Sequence, residues 1–163
     1  MSLFQIVLSI HILFAIIWVG GVLFVGWGVY PVATKLSLNA QRQFLHDLLS
    51  WTHHLFTLTG MIVILTGIIL GTILGPIHTW DTLFSTTYGH IWLTALIIAT
   101  ITLAWGVFIG NRHAFSIISN DDLWKLAAQG DDQLLRKAFR KTTLVESVEV
   151  IGFISLIICM VLI

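Results

Sequence analysis

Residues 11–21 read HILFAIIWVGG, inside an apolar run that begins at Leu3 and continues to Tyr30. A soluble helix does not stay apolar on every side for that length. A transmembrane helix does, since about 20 consecutive apolar residues cross the hydrocarbon layer. The run therefore predicts a membrane span. It carries one imidazole, His11, and lipid offers no hydrogen-bond partner, so His11 is expected to face protein, water or a cofactor. Trp18, Gly20 and Gly21 then pair bulk with two positions lacking side chains. That combination suits close packing against a neighbouring helix or a flat ligand.

Composition supports the same reading. Of 163 residues, 57% are hydrophobic and only 10% charged, against about a quarter charged in soluble domains. The formal net charge of zero gives nucleic acid no basic surface to bind. The single cysteine, Cys159, excludes an internal disulfide framework and a cysteine-based metal cluster. The first residues carry no Lys or Arg, and no small-residue cleavage site follows the apolar run, so the first helix is expected to remain. The whole chain, 1–163, is expected to form one integral membrane domain.

Taken in order, the first helix is predicted from about Leu3 to Tyr30, with Pro31 at its exit. Lys35 to Asn39 is a polar turn, and Asn39 is a plausible N-cap. The following AQRQFLHDLLSW is amphipathic. Phe44, Leu45, Leu48 and Leu49 lie on one side; Gln41, Arg42, Asp47 and Ser50 lie mostly on the other. It leads into a second span, about Leu55 to Leu74, with Gly67, Gly71 and Gly75 in a row for close helix approach. Gly75-Pro76 ends it, and Ile77 to Thr87 reads as a loop. A third span is predicted from about Tyr88 to Gly110, followed by Asn111, Arg112 and His113. A charged segment from Ser119 to Lys141 contains a short surface helix near Leu123 to Ala128. A fourth span runs from about Thr142 to Ile163. The fold class is therefore all-α, a four-helix transmembrane bundle.

The basic residues set the expected topology. Lys35, Arg42, Arg112, Lys125, Arg136, Lys137, Arg140 and Lys141 all fall in the first and third connections. The positive-inside rule places those connections in the cytoplasm and both termini outside. Prokaryotic cytoplasmic membrane is the expected location, with the bilayer as the first partner.

That topology sorts the histidines by depth. His11, His78 and His90 belong to the outer side; His46, His53, His54 and His113 belong to the inner side. His90 and His113 are about 35 Å apart along one helix, and an ideal helix turns them about 140° apart. They are too far apart to share one metal or heme. An outer site would use His11 and His90, an inner one His113 with His53 or His54. Glu146 and Glu149 are i,i+3 neighbours near the inner end of the fourth helix. Acids within an apolar span are candidates for function, with Arg112, His113 or the His53–His54 pair as partners. An interfacial charge cluster with Arg140, Lys141 or Arg112 is the alternative.

Several stretches resemble a known group. HILFAIIWVGG, RQFLHDLLSWTHHLFTLTGMIVILTG and TTYGHIWLTALIIATITLAWGVFIGNRH are similar to the CopD copper-resistance membrane domain and, more distantly, to HemJ-type protoporphyrinogen oxidases. Glu146 matches a glutamate at the start of that group's last helix. The resemblance implies a four-helix membrane protein handling copper or heme. Where the group has a basic residue after its YG and a lysine a few positions on, this chain has His90 and Thr94. That departure argues against HemJ-type oxidase activity and adds a ligand-capable side chain.

The residues are read as holding heme b, one or two, through histidines of facing helices, in electron transfer or redox chemistry at the membrane. His11 with His90 would hold the outer heme, and His54 with His113 an inner one. The redox partner would be a quinone, a partner protein or a subunit of a larger complex or homo-oligomer. Copper binding or transport of the CopD kind is the alternative. Cu(I) prefers thiolate and thioether ligands, and the chain offers only Cys159, Met1, Met61 and Met160. A structural subunit of a respiratory complex, with histidines that bind nothing, is the third reading. Whether the chain is an enzyme or a carrier stays open.

Overall fold

The computed structural model describes residues 1–162. The chain is an all-α bundle with four helices long and apolar enough to cross a membrane: α1 (Leu3–Ala33), α2 (Leu38–Ile73), α4 (Thr87–Ile118) and α6 (Gln133–Leu162). Two short helices join them, α3 (Trp80–Ser85) between α2 and α4, and α5 (Asp121–Ala128) between α4 and α6. Ala33, Leu45, Leu49, Ala114 and Ile118 form one buried cluster. The end of α1, the start of α2 and the end of α4 therefore meet at one end of the bundle, which carries both basic connections. The termini and α3 lie at the other.

The helices start where the backbone finds substitutes for its missing partners. Ser2 and Gln5 cap α1 reciprocally, Gln5 Oε1 accepting from Ser2 N at 2.9 Å and Ser2 Oγ from Gln5 N at 3.3 Å. Thr79 caps α3, Thr86 caps α4 and Asn120 caps α5 through side-chain oxygens. The last carbonyls of α4 are covered from outside it. Arg42 Nε donates to Ile118 O at 2.8 Å and Trp124 Nε1 to Ile117 O at 3.1 Å.

Four π-helical turns interrupt the spans, at Ile16–Gly20 and Val25–Val29 in α1, Ile69–Ile73 in α2 and Gly106–Gly110 in α4. The second explains why α1 passes Pro31 and ends at Ala33 instead of Tyr30. The hydrogen-bond ladder has already shifted one residue before the proline, so its missing N–H breaks little. Other boundaries move outward too. α2 begins after Ser37, not Asn39. The loop expected at 77–87 holds α3. α4 runs through Asn111, Arg112 and His113, and α6 starts at Gln133. Amphipathic turns can extend a span past its apolar stretch, and hydropathy alone does not see them. The expected end of the fourth span at Ile163 lies outside the described residues.

Packing within the spans is close but local. Trp18, Val63 and Phe153 bring α1, α2 and α6 together, with the Trp18 and Phe153 rings edge to face at 5.2 Å. At the basic end, Gln41, Leu45, Leu49 and Thr52 form the buried stripe of α2. Gln41 is thus inside, not on the polar side, while Phe44 is exposed. α5 lays Trp124 and Ala127 against Ile117 and Leu135. Trp124 is 5% exposed, so it is a packing residue, although a tryptophan beside a span reads from sequence as part of an interfacial belt. Its ring also lies under the Arg42 guanidinium, 5.8 Å from centroid to Cζ.

Replacing Leu45, which is 0% exposed, with Ala should lower stability by about 2–5 kcal/mol through the cavity it leaves. Phe24→Ala, on a residue 68% exposed, should change it by less than about 0.5 kcal/mol. Thermal unfolding in detergent micelles compares the two.

Arg42 also ties down α5, with Nη2 2.5 Å from Asp121 Oδ1. The guanidinium holds the Asp121 carboxyl below its ordinary range by hydrogen bonding and charge. Such a carboxylate contributes stability above its unfolded pKa and loses it as pH falls through the folded value. Docking of α5 should therefore loosen slightly below about pH 4, and Asp121→Asn should remove that dependence. Amide hydrogen exchange across residues 121–128 reads both.

Candidate functional site

Two polar sites lie at different depths, and the sequence had linked their residues differently.

The first is around His11 on α1. Its Nδ1 lies 2.9 Å from Thr66 Oγ1 on α2. The Thr66 hydroxyl carries one proton and directs it to Ile62 O at 2.7 Å. The hydroxyl therefore accepts from His11, which fixes the Nδ1–H tautomer and leaves the Nε2 lone pair free. Gly67 makes room for the ring: a Cβ there would sit 3.3 Å from His11 Cε1. The next glycine of the row, Gly71, faces a different helix, where a Cβ would collide with the Trp92 indole of α4. Trp92 Nε1 donates to Gly67 O at 3.2 Å. Gly67 and Gly71 thus seat an imidazole and an indole from two different helices.

His90 is not brought to His11. It is exposed in the first turn of α4, with Nε2 2.6 Å from Phe84 O. There it pins α3 to the start of α4. Trp92 faces α2, and His90 lies about 200° away around the same helix. His78 lies in the segment before α3 and is exposed.

The second site lies toward the basic end. A cavity of about 90 Å³ is lined by residues of all four spans. Its polar lining is Tyr30 from α1, Thr52, His53 and Thr57 from α2, Thr102 and Asn111 from α4, and Glu146 and Glu149 from α6. Glu149 is 9% exposed. Its carboxyl lies on bare backbone of α4: a Cβ at Gly106 would be 2.8 Å from Oε1, and one at Gly110 would be 2.9 Å from it. The Tyr30 hydroxyl approaches Glu146. Three π turns reach this cavity, supplying Trp18 from the first, Val25 and Gly26 from the second, and Gly106, Val107 and Gly110 from the third. π turns recur at functional sites because they re-aim side chains within a helix.

The partners expected for the two acids are only partly those present. His53 lines the cavity; Arg112, Arg140 and Lys141 are exposed and do not. Neither glutamate forms an ion pair among the described residues. The charge-cluster alternative therefore has no geometric support. His54 is exposed and packs edge-on against His53, centroids 5.3 Å apart. His113 keeps its Nε2 buried without a partner. No hydrogen bond or ring contact joins His54 to His113 among the described residues. No group of three or more His, Cys, Asp or Glu side chains converges as a metal site among the described residues. His46 pairs with Asp47 on the surface at 3.3 Å.

Tyr30, Thr52, Thr57 and Thr102 were not singled out in the sequence. For Tyr30 a signal existed: Trp18, Val22, Gly26 and Tyr30 recur every four residues, one face of a helix.

No known protein family, curated protein or solved structure matches the chain.

Glycine substitutions test this geometry. Gly106→Ala should displace the Glu149 carboxyl and destabilise the protein in detergent melts. Gly20→Ala, where a Cβ meets nothing within 4 Å, should be neutral or slightly stabilising, as relief of unfolded-chain entropy would give.

Proposed function

We propose that this chain is a membrane heme b protein holding one heme through His11, on the redox side of membrane chemistry. The observation that carries this reading is the His11–Thr66 hydrogen bond, which commits Nδ1 and leaves Nε2 free. Metal-ligating histidines characteristically donate their second ring N–H to a protein acceptor, which fixes the ring and raises its basicity. Heme needs only one or two axial side chains, because the porphyrin supplies the other nitrogens. A bare copper ion needs the protein to supply most of its ligands, and no such cluster converges among the described residues. The resemblance to the CopD and HemJ groups points toward the same pair of metals, and the ligand geometry favours heme of the two.

Heme would supply a one-electron couple. This chain's part is to hold the iron and orient the ligand. His11 binds, Thr66 orients it, and Gly67 leaves the ring its space. The 90 Å³ cavity at the basic end suits a few waters. We place the basic connections in the cytoplasm, on the charge asymmetry of the loops, which puts His11 in the outer half.

His11→Ala should abolish stoichiometric heme binding in protein purified from heme-replete cells. Thr66→Val should keep the ligand but weaken heme affinity by about 10–100-fold. Heme content by pyridine hemochrome, with the fold checked by circular dichroism, reads both. Unchanged heme in His11→Ala would remove it as a ligand.

A further inference from the structure

We propose that the basic-end cavity is a proton-binding site, with Glu149 holding the proton and Glu146, Tyr30 and His53 lining the same cavity as the groups available for proton exchange. The inference does not depend on heme.

The argument begins with charge. Two carboxyls, Glu146 and Glu149, share a cavity lined by four helices, and none of the Lys or Arg side chains lines it. The titratable groups facing it are Tyr30 from α1, His53 from α2 and the two glutamates from α6, while α4 contributes only the neutral Asn111 and Thr102. Two ionised carboxylates would then have at most one imidazolium to balance them. A buried acid without a cation either takes a proton or coordinates a metal.

Geometry separates the two acids. Glu146 is half-buried and meets the Tyr30 hydroxyl. Glu149 is nine-tenths buried and receives no hydrogen bond. It rests on the exposed backbone of Gly106 and Gly110. A carboxylate there would keep its charge with no Lys or Arg beside it, whereas a carboxylic acid is neutral and can donate to a water or to its neighbour. The cavity volume suits a short water file and not a large solute. His53 is half-buried and lines the same cavity, so a group able to give and take protons shares it with Glu149. Binding needs no redox partner: a proton from water joins a carboxylate oxygen, forming O–H, and leaves by the same route.

Infrared difference spectroscopy of the full chain in lipid, at neutral pH, tests the proposal through the C=O stretch of a protonated carboxyl. Of the eight acidic residues, the other six are Asp47, Asp81, Asp121, Asp122, Asp131 and Asp132, none of which lines the cavity. The expected result is a protonated-carboxyl band that shifts in D₂O, persists in Glu146→Gln and is lost in Glu149→Gln. If Glu149→Gln does not fold, the wild-type and Glu146→Gln spectra still decide between the acids. Absence of the band in wild type, or its loss in Glu146→Gln, overturns the assignment. Loss of the wild-type band on adding Na⁺ or Ca²⁺ overturns it too, in favour of a cation site.

Discussion

A carboxyl group in the hydrocarbon layer must be accommodated by protein, and in this chain Glu149 is accommodated by glycine. Its oxygen lies over Gly106 and Gly110, where any Cβ would press against it at 2.8–2.9 Å. α4 and α6 pack closely enough that a Cβ at Gly152 would collide with Thr102. Trp105, at the edge of the same π turn, donates to Val145 O at 3.0 Å and ties α4 to α6 one turn from the acid. The π turn itself widens α4 where the carboxyl sits. A GxxxG pair usually reads as a helix-packing device. In this bundle it packs a helix and houses an acid in the same groove.

The chemistry is divided between depths. His11 and Thr66 are anchored across α1 and α2 toward the terminal end, and the acid cavity spans all four helices toward the basic end. Trp18 lies between them, packed on Phe153 and lining the cavity. A redox centre at one depth and a proton site at the other would give the bundle the parts for proton-linked electron transfer, each held by a different set of helices.

The four spans were legible because lipid demands long apolar helices, and hydropathy reads that directly. Not all of their ends were, since the start of α2 after Ser37, the start of α6 at Gln133 and the amphipathic turns after Gly110 are not set by apolarity. The burial of Gln41 and Trp124 was hidden for a similar reason. α5 folds back and covers the basic end, so a surface that looked interfacial is interior. Of the candidate site residues, His11, His53, Glu146 and Glu149 stand in built surroundings. His90 was read as a ligand from its depth, but a helix-start imidazole has a carbonyl within reach, and Phe84 O takes it. Arg112 was read as a partner for the acids from its height along α4, yet it is exposed. Height along a helix follows from residue count. The face does not once a π turn at Gly106–Gly110 shifts the phase.

The most direct test of the account is the absorption spectrum of the wild-type protein purified in lipid, as isolated and after reduction by dithionite, with metal analysis of the same sample. The account expects a Soret band, sharpened reduced bands of b type, and one iron per chain. Copper without heme, or a colourless protein carrying neither metal, would contradict it.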